Sequence, residues 1–158
     1  MNVTDAVMMR KSTRDFLPDP VDDPVIRELL EKASRSPSGG NVQPWKIWVI
    51  NGDSMAGFRQ HMVDEPATTE MEYDIYPPSL WDPYRTYRFE LGEQMYASIG
   101  VGRDDKPGRL KQFARNMDFF GAPAAIFCYV DRGMGKPQWS DLGMFLQTFM
   151  LLAEEAGY

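Results

Sequence analysis

Histidine and cysteine are almost missing from this chain: His61 and Cys128 are the only ones in 158 residues. A lone cysteine excludes an internal disulfide framework. One His and one Cys leave too few soft ligands for a zinc centre, so no metal is expected. His61 has no acid and hydroxyl partners in a triad pattern, and a helix-surface position is expected for it. Long hydrophobic runs are missing too. No uninterrupted apolar stretch reaches the length of a membrane span, and the N-terminus carries no signal-peptide pattern. The expectation is a cytoplasmic protein without membrane contact. Positive charge is in deficit, with 17 Lys and Arg against 23 Asp and Glu for a net charge of −6. That balance argues against a broad nucleic-acid surface. Gly100-Val101-Gly102 is too short for a dinucleotide fingerprint. Glu90 and Glu93 share a helical turn, but acids so spaced read as a solvated face rather than a glycosidase pair.

What is abundant is apolar surface. The chain holds 11 Met, 4 Trp, 7 Tyr and 9 Phe, a heavy load for this length, and part of it is expected against a partner or a cofactor. The length favours one domain over 1–158 with a real core. Asn2 or Thr4 is placed to cap a short first helix ending near Met9. Asp22 or Asp23, with Pro24 in the first turn, starts a second helix whose Val25, Ile26, Leu29, Leu30 and Ala33 recur at helical spacing. Trp45 to Ile50 and Ala124 to Val130 read as strands, the second buried with Cys128 packed inside it. Asp53 or Ser54 starts a helix between them. Further helices are expected over 87–101 and 105–119. Ser140 is expected to cap a last helix running to Gly157, where the glycine ends it. Leu142, Phe145, Leu146, Phe149, Met150, Leu152 and Ala153 make that helix apolar around most of its circumference, as in a large core or a subunit interface. Residues 66–86, rich in Pro, Tyr and acids, read as a long irregular excursion and a possible substrate cover. Two strands make an unfinished sheet, so a C-terminally incomplete chain is expected.

Two segments carry chemistry. Arg10-Lys11-Ser12-Thr13-Arg14 places three cations and two hydroxyls in five residues of an acidic chain. Such a cluster repels itself unless an anion sits against it, and Arg and Lys are the side chains that bind phosphate. In an extended stretch Arg10, Ser12 and Arg14 share one face, with the two Arg residues about 13 Å apart. A solvated turn pairing with Asp5, Asp15 or Asp19 is the alternative. The second segment is Ser36-Pro37-Ser38-Gly39-Gly40-Asn41-Val42-Gln43-Pro44-Trp45. Its small residues let backbone approach a flat ligand, and Ser38 and Asn41 supply donors and acceptors. A plain helix-to-strand connection explains the Gly and Pro but not Asn41, Gln43 and Trp45.

Together these segments resemble the nitroreductase family of FMN-dependent flavoproteins. Arg10, Ser12, Arg14 and Phe16 match its Arg-x-Ser-x-Arg/Lys opening, and Pro37, Ser38, Gly39, Gly40, Asn41, Gln43, Pro44 and Trp45 match its next motif. Phe120-Gly121-Ala122-Pro123 entering a strand, and Trp139-Ser140-Asp141-Leu142-Gly143-Met144 with Gln147, match further on. The stretch 52–112 is looser. Tyr76-Pro77-Pro78, Pro83-Tyr84-Arg85 and Arg115-Asn116 leading to Phe119-Phe120 resemble a branch acting on nitroaromatics such as nitrobenzoates.

The resemblance implies an α+β, three-layer α/β/α fold with a central mixed or antiparallel sheet and a long dimer-interface helix. It implies a homodimer with FMN at the interface and NADH or NADPH as electron donor. Arg10, Lys11 and Ser12 would meet the phosphate and ribityl chain, and Arg14 the pyrimidine edge. Pro37, Ser38, Gly39 and Asn41 would reach the FMN of the other subunit. Gly39-Gly40 departs from the one or two Ser common there. The chemistry would be the flavin's, with ping-pong hydride transfer through its N5 to nitroaromatic or quinone-like acceptors and no side-chain nucleophile. Tyr76, Trp81, Phe119 and Phe120 are candidates for stacking on a flat substrate, as are Tyr73 and Tyr84. Arg115 is a candidate for a substrate carboxylate or for an ion pair with Asp118. A flavin-binding module without turnover, and a same-fold enzyme acting on flavin or a metabolite, remain open at this point.

Overall fold

The computed structural model describes residues 1–65 and 73–158. Along the chain run α1 (Val3–Met9), α2 (Asp23–Ala33), β1 (Lys46–Asn51), α3 (Asp53–Asp64), α4 (Tyr84–Ser98), α5 (Lys106–Ala114), β2 (Ala124–Tyr129) and α6 (Lys136–Glu155). The chain divides into two compact units, Met1–Phe58 with Gly121–Tyr158, and Arg59–Phe120.

The first unit is built around α6. Phe145 is 1% exposed, and Leu142 beside it is also buried. Helix α2 turns Ile26, Leu29 and Ala33 inward and packs on α6, as does α1. The two strands pair antiparallel, with Trp48 opposite Phe127 and Lys46 opposite Tyr129. Strand alternation then decides the layers. Trp45, in phase with Ile47 and Val49, stacks on Phe145 of α6. Phe127 points to the other face and packs against Phe58 of α3, ring centroids 5.3 Å apart. Helices therefore lie on both sides of the sheet, giving the expected α/β/α layering, with an antiparallel pair at its centre. Asn51 ties the end of β1 to the neighbouring helix starts. Its side chain donates to Val21 O at 2.6 Å and to Asp23 Oδ1 at 3.0 Å. Its backbone N–H donates to Ser54 Oγ at 2.9 Å.

In the second unit, α4 and α5 are held by Arg109. Its guanidinium grips Glu93 with two bonds, at 2.7 and 3.1 Å, and lies 4.3 Å over the Tyr96 ring. The bond from Arg109 holds the Glu93 carboxyl below its ordinary range, and the Arg109 charge adds to the effect.

Several sequence expectations shift. Asn2, not Thr4, caps α1 through a reciprocal capping box with Asp5. Helix α6 starts at Lys136 rather than after Ser140. Pro137 fits the first turn, and Gln138 Oε1 accepts from Gly135 N–H at 3.0 Å. Its end is as expected: Gly157 takes φ +87°, and the N–H groups of Gly157 and Tyr158 bond back to Glu154 and Ala153. The excursion expected over 66–86 falls partly on 66–72, outside the described residues. Tyr84, Arg85 and Thr86 belong to the first turn of α4, where Asp82 accepts from Thr86 Oγ1 at 2.9 Å and pairs with Arg85. The helix expected over 105–119 ends at Ala114. A 3-10 stretch follows to Gly121, kinked where Phe119 and Phe120 turn left-handed at φ +51° and +54°. Strand β2 is half-buried rather than buried, with Phe127 and Tyr129 about two-fifths exposed.

Candidate functional site

The cationic stretch follows directly from the end of α1. Arg10 closes that helix, its N–H bonded to Ala6 O at 3.0 Å and its backbone already extended. The chain stays irregular and exposed through Arg14. Arg14 Nη1 donates to Ser12 O at 3.2 Å, which uses one of five guanidinium donors. Among the described residues, Arg10, Lys11 and Arg14 make no ion pair. Of the expected pairing with Asp5, Asp15 or Asp19, none is made by these three cations among the described residues, while the stretch itself is solvated. Three cations are left without an acid partner among the described residues, Lys11 and Arg14 exposed and Arg10 half-buried.

The second segment is pinned along α6 at two points. Ser36 is buried, and its hydroxyl donates to Thr148 Oγ1 at 2.9 Å. Gly39 N–H is shared between both carboxylate oxygens of Asp141, at 3.4 Å each. The lengths agree: seven residues of helix rise about 10 Å, and three extended residues span about 10 Å. The chain then turns sharply. Gly40, Asn41 and Gln43 all take positive φ, at +59°, +57° and +49°. The turn holds itself through Gln43 N–H to Ser38 Oγ at 2.9 Å and Gln43 Nε2 to Asn41 Oδ1 at 3.0 Å. Pro37, Gly39 and Asn41 are exposed and Ser38 half-buried. Trp45 anchors the far end on Phe145.

Asp141 went unassigned from sequence, beyond its place in a matching motif. Its signal was available: an acid on the apolar side of an otherwise apolar helix.

The candidates for a flat substrate all lie in the second unit. Arg88 sits 4.1 Å over the exposed Tyr76 ring, and Trp81 meets Tyr84 edge-on at 5.6 Å. Arg115 Nη2 donates to Phe120 O at 3.3 Å, so it is brought to Phe120. The ion pair of Asp118 is with Arg59, at 2.9 Å. Tyr73 is exposed. No group of His, Cys, Asp and Glu suited to a metal occurs among the described residues. No helix among them is long and apolar enough to cross a membrane.

Two hollows among the described residues fall elsewhere. One of about 450 Å³ in the first unit is lined by Ile26, Arg27, Leu30, Val49 and Asn51 among others. One of about 380 Å³ in the second is lined by Tyr96, Arg109, Leu110 and Phe113 with Lys106. No candidate residue lines either one.

Known proteins agree with the residue pattern. A sequence model of the nitroreductase family matches residues 7–158. A 4-nitrobenzoate reductase of Pseudomonas putida is 33% identical over 96% of this chain, which spans 67% of that protein. The crystal structure of the FMN and NADPH-dependent nitroreductase NfnB from sphigopyxis sp. strain HMH superposes with a TM-score of 0.90 at 42% identity, covering 98% of this chain and 72% of that one. The FMN-dependent NfnB of Mycobacterium smegmatis, solved with NADPH, gives 0.81 at 25% identity, covering 99% and 73%. On its motifs, its fold and these matches, the chain belongs to the nitroreductase family and is an oxidoreductase of that family.

Proposed function

We propose that this protein is an FMN-dependent NAD(P)H oxidoreductase that reduces nitroaromatic acceptors, with quinone-like acceptors as a second class. The observation that carries the reading is the cluster of Arg10, Lys11 and Arg14, which have no acid partner among the described residues. That donor set fits a phosphate and a polar ring edge, which are the two ends of FMN. The names of its relatives supply the acceptor class.

When bound, FMN would supply the two-electron redox chemistry that links nicotinamide to acceptor, and ping-pong kinetics are expected. The chain's own residues do the rest. Arg10 and Lys11 neutralise the phosphate, and the Ser12 hydroxyl bonds the ribityl chain. Arg14 places a cation at the pyrimidine edge, which stabilises negative charge gathering there. Pro37, Ser38, Gly39 and Asn41 bring a close-approaching polar backbone to the FMN of a second subunit. Tyr76, Trp81, Phe119 and Phe120 offer aromatic faces to the acceptor. Arg115, bonded to Phe120 O, is the candidate for meeting a carboxylate on the acceptor.

A homodimer belongs to the same reading. The outer side of α6 leaves Trp139, Met144 and Met150 about two-fifths to one-half exposed, and α1 leaves Val3 and Met8 more than three-quarters exposed. Such apolar faces suit burial against a second copy. The test is direct. Purified protein given FMN should bind it, turn yellow, and oxidise NADPH or NADH when 4-nitrobenzoate is added. Folded protein that takes up no FMN would end the proposal.

A further inference from the structure

Asp141 is the one buried charged side chain among the described residues, at 5% exposure. It sits on the inner side of α6 beside Leu142 and Phe145, and it makes no ion pair among the described residues. Burying a carboxylate without a cation is costly. A helix needing only to fill that space would carry Leu there. What the carboxylate holds is one group, the N–H of Gly39.

That N–H begins the turn in which Gly40, Asn41 and Gln43 are all left-handed. Asn tolerates this region, but Gln rarely enters it, and such backbone persists only where its surroundings over-determine it. The bonds of Gln43 to Ser38 and Asn41 lie within the turn and move with it. The Ser36 and Trp45 anchors fix its two ends. Among the described residues, Asp141 makes the one hydrogen bond that ties the start of the turn, at Gly39, to the body of the fold. We propose that Asp141 is a positioning residue for the cofactor: by holding Gly39 N–H it sets the placement of the Ser38–Asn41 backbone against FMN. This rests on the FMN reading above.

The experiment is FMN titration, followed by fluorescence quenching, of wild-type protein, Asp141→Asn, Asp141→Ala, Gly39→Pro and the Asp141→Ala/Gly39→Pro double variant. Asparagine keeps an acceptor for the N–H, so its Kd should stay within about threefold of wild type, whereas alanine should weaken binding about tenfold. Gly39→Pro deletes the N–H itself. Ser38 before it is already extended, at φ −144° and ψ 150°, as a residue preceding proline must be. A Cβ at Gly39 has its nearest neighbour 4.0 Å away. Gly39→Pro should weaken binding about as much as Asp141→Ala, and the double variant should lose no more than either, because both remove one link. Wild-type affinity in Asp141→Ala, no rescue by asparagine, or losses that multiply in the double variant would each overturn the role. If Asp141→Ala does not fold, wild-type affinity in Gly39→Pro does the same. Wild-type protein that binds no FMN overturns this role and the cofactor reading together, which is a distinct result.

Discussion

Trp45 stacks on Phe145 with ring centroids 5.1 Å apart and planes 23° from parallel. One ring closes the second candidate segment, and the other is the most deeply buried large side chain of α6. The stack joins the core to the candidate site. Phe145→Ala should cost about 3–5 kcal/mol, the range for emptying a buried aromatic position. Urea unfolding should show a lower midpoint with an unchanged slope.

Arg10→Ala should weaken FMN binding by about 1.5–3 kcal/mol, the worth of one charged hydrogen bond. Titration at two salt concentrations checks it, because a lost phosphate contact also flattens the salt dependence. Unchanged affinity would return the cluster to a solvated surface.

Arg14→Ala should act on the redox poise instead. Removing a cation from the edge where negative charge gathers lowers the two-electron potential of bound flavin. Equilibration with a reference dye reads the shift, and a potential that stays put removes the role.

Gly39 and Gly40 should respond differently although they are adjacent. Gly40 sits at φ +59°, where any Cβ is strained, so Gly40→Ala should cost about 1–2 kcal/mol. Gly39 has no positive φ and open space for a side chain, so Gly39→Ser should leave stability near wild type. Thermal unfolding of the two variants decides it.

Burial alone pushes the Cys128 thiol up from its ordinary 9.0 to about 11. In the folded protein it should resist alkylation at pH 8, and the rate should rise sharply in urea. The linkage has a definite sign. A raised value stabilises the fold fully below pH 9 and loses that contribution as pH climbs towards 11. Cys128→Ala should remove that part of the alkaline loss, seen as a flatter melting temperature across pH 9–11.

Local order was legible because it is written in local chemistry. Asn2 before α1, Pro24 in the first turn of α2 and Gly157 after α6 mark helix ends by caps and allowed backbone angles. Strands β1 and β2 showed as short apolar runs between breakers. Ser140, a good cap residue, draws the expected start of α6 too late, while the pair at its actual start, Gly135 with Gln138, gains its meaning only once Pro137 sets the turn. The end of α5 was missed for a similar reason. Nothing in Phe119-Phe120 announces two consecutive left-handed residues.

By itself, the sequence determined which residue types could meet an anion and a flat ring, because charge and backbone freedom belong to residues before any fold exists. The cluster at Arg10 to Arg14 and the small-residue segment at Pro37 to Asn41 needed no coordinates to be found. Whether the cations were spent on neighbouring acids was a question of distance, and only the tertiary structure answered it. The same holds for Asp141. It becomes the anchor of Gly39 only when α6 packs against a segment about a hundred residues earlier in the chain, a meeting that hydrophobic burial of Phe145 and its neighbours brings about and that no local pattern encodes.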